Sequence, residues 1–159
     1  MTVSMAPTVE KYLKEQHIPY DVLPHARTFS SIRSATAAHV SPHRVAKAVL
    51  LEDEEGYMMA VLPADRHVHL GTLRRELGRR LGLATEQEIA SLFRDCDLGA
   101  IPPLGEAYGV DVVVDDELGN ESDIYFEAGD HEELIHVRRE DFLRLLSHAR
   151  YAHFSTTAF

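Results

Sequence analysis

Two apolar segments joined by a short acidic turn constrain this chain more than any other feature of its sequence. The segments are KAVLLE (47–52) and YMMAVLPA (57–64), and the residues between them are DEEG (53–56). Two such segments around a turn that contains glycine are typical of a β-hairpin. Because both segments are apolar on both faces, we predict that the hairpin lies in the centre of a sheet that is covered on each side.

The rest of the chain contains both helical and extended patterns. Helical spacing of apolar residues predicts helices over 8–17, 30–40, 70–82, 85–93 and 140–149. Their predicted N-caps include Thr8, Ser30 or Ser31, and Thr85, and a further helical turn is expected at Ser41 and Pro42. Strands are predicted over 18–25, 110–116, 123–129 and 133–138. The segment from 97 to 105 contains two prolines and two glycines and is predicted to be a loop.

These elements define a fold class. Several connections between strands are too short for a parallel crossover, so we expect an α+β fold with a mixed, mostly antiparallel sheet flanked by helices. A length of 159 residues predicts one domain over 1–159, with its core over about 8–149.

The charge of the chain limits its partners. The chain has 26 acidic residues and 16 lysines and arginines, which gives a formal net charge of −10. This balance argues against non-specific binding to DNA or other nucleic acid, which needs positive charge to displace counterions. Basic residues gather in RRELGRR (74–80), where a local strip could still contact a phosphate backbone.

Composition also predicts the compartment. A single cysteine, Cys96, excludes a disulfide within the chain. No segment approaches the roughly 20 apolar residues that cross a membrane, and the N-terminus lacks the basic and apolar regions of a signal peptide. We therefore expect a cytoplasmic protein without a membrane partner.

Lys47 is the most unusual residue of the central hairpin. It is one of three lysines, and in a strand it shares a face with Val45, Val49 and Leu51. A buried ammonium is costly unless it is paired. One interpretation is a lysine that extends to solvent or pairs with a carboxylate. The other is a fixed cation at the mouth of a pocket, where it could bind a phosphate or polarise a carbonyl.

Two further segments could contribute to a site. In GAIPPLG (99–105), glycines permit close approach to a ligand and prolines hold one loop shape, although an ordinary connecting loop would explain the same residues. Gly129, Asp130 and His131 lie between two predicted strands, as a hairpin turn would. His131 could also act as a hydrogen-bond donor or an acid–base group.

Other kinds of chemistry find weaker support. His67 and His69 fall on one face of a predicted strand, which can suit zinc, but no third ligand is evident nearby. No serine lies in a nucleophile-elbow context, and nothing near Cys96 indicates an activated thiolate.

Taken in order, four segments resemble one family, the YbaK/prolyl-tRNA-synthetase-associated domains, which deacylate mischarged tRNA. These segments are IPYDVLPH (18–25), TFSSIRSATAAHVSPHRVAKAVLLE (28–52), GAIPPLG (99–105) and YFEAGDHEELIHVRREDFLRLL (125–146). The resemblance covers nearly the whole chain, and the family's characteristic lysine falls on Lys47. It implies a mixed sheet that curls around a small pocket. The implied activity is hydrolysis of the ester between an amino acid and the 3′ end of tRNA, without metal or organic cofactor.

The resemblance also implies roles for individual residues. Lys47 and His131 would be catalytic, with Lys47 binding the terminal phosphate or ribose and orienting the ester. The residues implied to bind substrate are Tyr20, His25, Phe29, Ser30, Gly99, Ala100, Ile101, Pro102, Gly105, Gly129 and Asp130. The attacking group would be a water positioned partly by the ribose hydroxyl, so catalysis would depend on positioning and electrostatics. The implied partner is the acceptor end of mischarged tRNA, met alone or through an aminoacyl-tRNA synthetase.

Two alternatives stay open. Ala48 follows the lysine where the family often has threonine or serine, and Ala100 follows Gly99 where many members have a second glycine. With the net charge of −10, these departures allow a module that keeps the pocket but has lost the chemistry. The second alternative is a metal-dependent hydrolase that uses His67 and His69.

Overall fold

The chain contains both strands and helices, in a mixed order. The structure is a computed structural model that describes residues 5–28 and 30–157. The strands are β1 (Asp21–Pro24), β2 (Val45–Asp53), β3 (Gly56–Pro63), β4 (His67–Val68), β5 (Gly82–Leu83), β6 (Asp111–Asp115), β7 (Asp123–Glu127), β8 (Glu133–Arg138), β9 (Arg150–Ala152) and β10 (Ser155–Thr156). The α-helices are α1 (Pro7–Glu15), α2 (Ser31–Ala37), α3 (Leu70–Leu77), α4 (Glu86–Leu92) and α5 (Arg139–Leu145). Short 3₁₀ turns cover Pro42–Arg44, Gly105–Tyr108 and Asp116–Asn120.

The predicted central hairpin is confirmed. β2 and β3 pair antiparallel from Ala46↔Pro63 to Asp53↔Gly56. They lie in the middle of a sheet whose strand order is β1-β8-β7-β2-β3-β6-β9, and β5 pairs with a second part of β2. The pairs β2–β7, β3–β6 and β6–β9 are parallel, and the other described pairs are antiparallel. The α+β class with a mixed, mostly antiparallel sheet is therefore confirmed.

Helices cover both faces of this sheet, as the apolar hairpin requires. On one face, Val45 packs in a cluster with Ala35 of α2, and Leu51 packs in a cluster with Leu73 of α3. On the opposite face, Ala46 and Leu50 belong to the largest cluster, with α1, α5 and the loop after α4. We refer to these as the α2–α3 face and the α1–α5 face. Burial on both sides explains why the hairpin segments have no polar face.

The ends of the helices agree with the sequence predictions only in part. Ser30 caps α2, since its hydroxyl accepts a hydrogen bond from the Arg33 N–H at 3.2 Å. Thr85 and Glu88 form the predicted capping box of α4. The prediction of Thr8 as an N-cap is wrong, because α1 begins one residue earlier with Pro7 and the Thr8 N–H donates to Asp95 instead. Proline suits this first position because its missing N–H would have no helical partner.

Three other predicted boundaries change. Ser41 precedes a single 3₁₀ turn and makes no side-chain cap. α3 ends at Leu77, earlier than predicted, because Gly78 follows it and glycine disfavours helix. The first strand covers Asp21–Pro24 and is shorter than the predicted segment.

The segment after α5, which the sequence pattern left without assignment, adds two short strands. The buried carboxylate of Asp115 accepts hydrogen bonds from the Phe154 and Ser155 N–H groups at 2.9 and 3.0 Å. These bonds hold the segment against the end of β6. Among residues 5–28 and 30–157, no helix has the length and apolar character needed to cross a bilayer.

Candidate active site

Lys47 lies on the α2–α3 face, between the cluster that packs under α2 and the cluster that packs under α3. It is half-buried, and its Nζ donates a hydrogen bond to the carbonyl oxygen of Ala64 at 3.3 Å. Burial lowers the pKa of Lys47 below its usual range, and the nearby carboxylate of Asp65 offsets part of that shift. The fold thus fixes the position of the Lys47 ammonium group. A lysine whose whole ammonium group extends into solvent would not be fixed in this way.

The edge of β2 next to Lys47 is not continuously paired. Its parallel pairing with β7 ends at Ala46↔Phe126. Its pairing with β5 begins only at Leu51↔Leu83. We call the unpaired stretch between these two points the strand gap; Ala48 and Val49 lie on its β2 side, and residues 127–129 follow the last paired residue of β7 on the other side.

β7 ends at Glu127, one residue after its last pairing with β2, and the residue that follows bonds to the N-terminal segment. The Ala128 carbonyl accepts a hydrogen bond from the Ala6 N–H at 2.8 Å. Lys47 and Glu127 are the residues that directly follow the last paired positions, Ala46 and Phe126. Side chains at the same level of neighbouring strands project to the same face, so both stand at the rim of the gap on the α2–α3 face.

Glu127 is a buried carboxyl group that the sequence analysis did not identify. Its side chain is 1% exposed, and within the described residues neither carboxyl oxygen has a hydrogen-bond partner. The Ser34 hydroxyl lies close enough to favour the ionised form, but it is bonded to Thr28 Oγ1 at 2.6 Å. Burial, together with the charge of Asp130, raises the pKa of Glu127 to about 8. Glu127 is therefore mostly protonated at neutral pH.

The turn after Glu127 brings His131 inward. His131 adopts a left-handed backbone conformation with φ of 59°, which costs a non-glycine residue energy. Its ring is buried, with Nε2 at 2.6 Å from the Leu98 carbonyl oxygen and Nδ1 at 3.9 Å from Glu127 Oε1. The Asp130 carboxylate stabilises the turn by accepting hydrogen bonds from the Glu132 and Glu133 N–H groups, both at 3.1 Å.

Gly129 joins this turn to the start of the 97–105 loop. Its carbonyl accepts a hydrogen bond from the Asp97 N–H at 2.7 Å. A Cβ atom at Gly129 would lie 2.8 Å from the Cβ of Ala6 and 3.2 Å from the Cys96 sulfur, and its φ is 100°. Only glycine fits this position without displacing its neighbours. Close packing with the N-terminal segment thus explains Gly129.

The segment before α2 completes the cluster. The Thr28 N–H donates to the His131 carbonyl at 3.2 Å, and the His25 N–H donates to the Glu132 carbonyl at 2.8 Å. Ser30 lies at the start of α2, where its side chain is occupied as the N-cap. Phe29, which was also predicted to bind substrate, lies outside the described residues.

Together these groups form a defined chemical environment at one end of β7. It contains a half-buried cation, a carboxyl group that is mostly neutral at pH 7, and strand edges that lack a ladder partner. Such a site can hold a ligand that carries both a carbonyl or phosphate group and hydrogen-bond donors.

Comparison with known protein families identifies the family of this chain, because the model of the aminoacyl-tRNA editing domain matches residues 24–145.

The chain belongs to the aminoacyl-tRNA editing domain family.

Solved structures agree with this editing-domain fold. The chain is 22% identical to the hypothetical protein APE2540, with a TM-score of 0.83 over 94% of this chain and 99% of that one. It is 21% identical to a candidate trans-editing enzyme for prolyl tRNA synthetase, with a TM-score of 0.81 over 96% and 99%. A candidate signal transduction protein from Marinobacter aquaeolei VT8 is 21% identical, with a TM-score of 0.78, but the match spans only 31% of that longer chain. A search of curated proteins by sequence gave no match.

Some residues that were predicted to bind substrate lie apart from the strand gap of the editing domain. Tyr20 precedes Asp21, which pairs with His136, whereas the 129–131 turn adjoins the opposite end of β8. Ala100, Pro102 and Gly105 are buried, and Ile101 packs against the cluster on the α1–α5 face. At the surface, the 97–105 loop presents Asp97, Leu98 and Gly99.

Metal ligation by the two histidines of RHVHL has no geometric support. His69 Nδ1 accepts a hydrogen bond from the Thr72 N–H at 3.1 Å and so caps α3. Within the described residues, the one group of three ligating side chains in metal-binding range is Asp115, Asp116 and His153. Hydrogen bonds from the Phe154 and Ser155 backbone already occupy Asp115.

Proposed function

We propose that the editing domain hydrolyses the ester of mischarged tRNA in trans, as a freestanding aminoacyl-tRNA deacylase. The observation that supports this most directly is the position of Lys47, a half-buried cation at the rim of an opening in the sheet. Family membership supplies the substrate class. The partner is then the acceptor end of tRNA, reached directly or with a synthetase, in the cytoplasm.

The proposed reaction uses water as the nucleophile. The water oxygen bonds to the acyl carbon, the ester bond to the ribose oxygen breaks, and the ribose oxygen takes up a proton. The Lys47 ammonium would stabilise the negative charge that develops on the carbonyl oxygen or hold the terminal phosphate. A cation already fixed by the fold needs little reorganisation as that charge develops, which favours catalysis by electrostatics and positioning.

His131 would act as a positioning residue. Its ring is 1% exposed and contacts the Leu98 carbonyl, so it holds the exposed part of the 97–105 loop next to the turn. A group buried in this way would shape the pocket while its ring stays out of contact with solvent. We therefore propose a positioning role for His131 in place of the catalytic role that the sequence resemblance implied.

Deacylation across a panel of mischarged tRNAs tests this proposal. We expect release of amino acid from at least one of them, with a loss of about 100-fold or more in kcat/KM for Lys47→Ala. Lys14→Ala is a matched control, because Lys14 is an exposed lysine on α1 paired with Glu10. An inactive wild-type protein across the whole panel, or a Lys47→Ala variant as active as wild type, would contradict the proposal.

A second function, a small-molecule or nucleotide-binding regulatory module, has one specific observation in its favour. The chain aligns with less than a third of a longer candidate signal transduction protein, so the fold also occurs as part of a larger architecture. The net charge of −10 would also repel tRNA. This module would bind an aminoacyl-adenosine analogue but release no amino acid from any ester, and measured turnover would exclude it.

A further inference from the structure

The hydrogen-bond directions of β2 reveal which peptide groups face the strand gap. The Ala64 N–H donates to the Val45 carbonyl at 2.8 Å, so odd-numbered residues of β2 bond toward β3. Even-numbered residues face the opposite edge, and the Ala84 N–H accordingly donates to the Leu50 carbonyl at 3.0 Å. The N–H and C=O of Ala48 therefore point into the gap, since antiparallel ladders alternate in this way.

The same argument applies to β7 on the other side of the gap. The His25 N–H donates to the Glu132 carbonyl, so even-numbered residues of β8 bond toward β1 and odd-numbered ones toward β7. The register of β7 with β8 then leaves Glu127 bonding toward β2. A continued ladder would join the Ala48 N–H to the Glu127 carbonyl, but pairing stops at Ala46↔Phe126.

The opening is built into the fold. Ala128 is bonded to Ala6 and Gly129 packs closely against Ala6 and Cys96, so the residues that follow β7 are engaged with other parts of the chain, and β5 begins too far along β2 to cover Ala48. Within the described residues, no hydrogen bond from a turn or loop backbone reaches the Ala48 peptide group. Unpaired backbone groups beside a sheet are sites where an extended ligand can add hydrogen bonds.

We infer that the strand gap binds the aminoacyl group of the substrate through main-chain hydrogen bonds, with Ala48 N–H donating to the acyl carbonyl and the Glu127 carbonyl accepting from the α-ammonium. This inference rests on the proposed deacylase function. An aminoacyl ester carries one hydrogen-bond donor and one acceptor, as a residue of a β-strand does. It could therefore take the place of the strand residue that would otherwise pair with the edge of β2 at Ala48. Because these groups are common to all amino acids, the gap recognises the aminoacyl class, and amino-acid selectivity resides in the surrounding side chains.

Amide hydrogen exchange on the ¹⁵N-labelled full chain tests the inference directly. The probe is adenosine that carries alanine through a 3′-amide in place of the ester, which cannot be hydrolysed. We expect the Ala48 amide to exchange quickly in the free protein and to slow by about tenfold or more when the probe is added. The Val49 amide, which bonds toward β3, should be slow in both states.

The outcomes separate this inference from the proposed function. An Ala48 amide that is already protected, or that is unchanged at millimolar probe, would overturn the inference even if the protein deacylates tRNA. Protection of Ala48 by the probe in a protein that deacylates nothing would support the inference and count against the deacylase.

A pair of variants supplies an independent test. Ala48→Pro removes the N–H and fills its side of the gap, yet breaks no ladder bond, so the melting temperature should stay close to wild type. We expect its kcat/KM for the best mischarged tRNA to fall by about tenfold or more, whereas Ala48→Ser, which keeps the N–H, should lose much less activity than Ala48→Pro. A folded Ala48→Pro protein with wild-type activity would refute the inference, and the exchange experiment decides the matter if this variant does not fold.

Discussion

Two well-covered carboxyl groups at opposite ends of the central sheet have opposite environments. Asp53, at the hairpin end of β2, receives two hydrogen bonds from Arg79 at 2.8 and 2.6 Å and one from the Glu55 N–H at 2.9 Å. These bonds lower the pKa of Asp53 to about 2. Glu127, beside the strand gap, has no arginine or lysine partner in the described part of the chain, and burial raises its pKa to about 8.

The contrast indicates that Asp53 has a structural role, whereas the packing of the fold does not explain why Glu127 is buried. Asp53 is covered by its own partner near the molecular surface, and its pair fastens the turn after α3 to the hairpin. Glu127 lies deeper, and in the described part of the chain its carboxyl group lacks the hydrogen bonds that a buried polar group normally has. Groups of the second kind concentrate at functional sites, where their cost is offset elsewhere in the fold.

Replacing Glu127 should give the largest effect on stability. A carboxyl group whose pKa rises on folding stabilises the protein below its unfolded pKa, here 4.5, and this contribution is lost as the pH rises through about 8. We expect Glu127→Gln to match wild type near pH 4 and to exceed it at about pH 8.5 by on the order of a few kcal/mol. Urea unfolding at several pH values measures this difference. Equal pH profiles of the free energy of unfolding for the two proteins would mean that the folded protein does not raise the pKa of Glu127, as expected if a cation pairs with its carboxylate.

Removing the cation from Asp53 should have a smaller and opposite effect. Arg79→Ala should lower the urea midpoint at neutral pH, and the exposed neighbouring Arg80→Ala serves as the control with little change. A depressed pKa gives stability above the unfolded pKa, here 3.8, that is lost as the pH falls toward 2. The difference between wild type and Arg79→Ala should therefore shrink between about pH 4 and pH 2. If the difference in stability between the two proteins stayed constant over this pH range, the effect would come from packing of the aliphatic part of the Arg79 side chain.

His131 permits the finest comparison, because it tests backbone geometry beside Glu127 separately from the ring. Asparagine tolerates the left-handed conformation better than alanine does. We expect His131→Asn to be more stable than His131→Ala by about 1 kcal/mol. Both variants should lose deacylation, since neither reproduces the contact of the ring with Leu98. Equal thermal stability of the two variants would mean that the turn relaxes when the ring is removed.

The sequence predicted those parts of the fold that depend on local pattern. The hairpin around residues 53–56 followed from apolar residues on both faces, and the capping box of α4 followed from the spacing of Thr85 and Glu88. The strands at the end of the chain had no such signal. Their position depends on Asp115, which lies about 40 residues earlier in the sequence and binds the Ser155 backbone.

The candidate site was only partly predictable for the same reason. Lys47 was noticeable as a charge within an apolar strand, but an acid at the end of a strand, such as Glu127, usually faces solvent, so its burial could not be inferred. Gly105 was assigned to substrate binding, whereas a Cβ there would lie 2.5 Å from Val112 Cγ2 and 2.7 Å from the Val110 carbonyl. Close packing alone requires that glycine. The end of the β2–β7 pairing and the Ala6–Ala128 hydrogen bond both involve segments that are distant in the sequence, so no local pattern indicates them.

The parallel pairing of β2 with β7 has a consequence for how the protein folds. The two sides of the strand gap are separated by about half of the chain, and they meet only after β3 to β6 have been laid down between them. The β2–β3 hairpin is local and can form early, whereas pairing between distant segments is slow because a long loop must close first. Folding kinetics should therefore show the β2–β3 hairpin ordered before the strand gap, and a nascent chain would assemble the gap only after β7 has been synthesised.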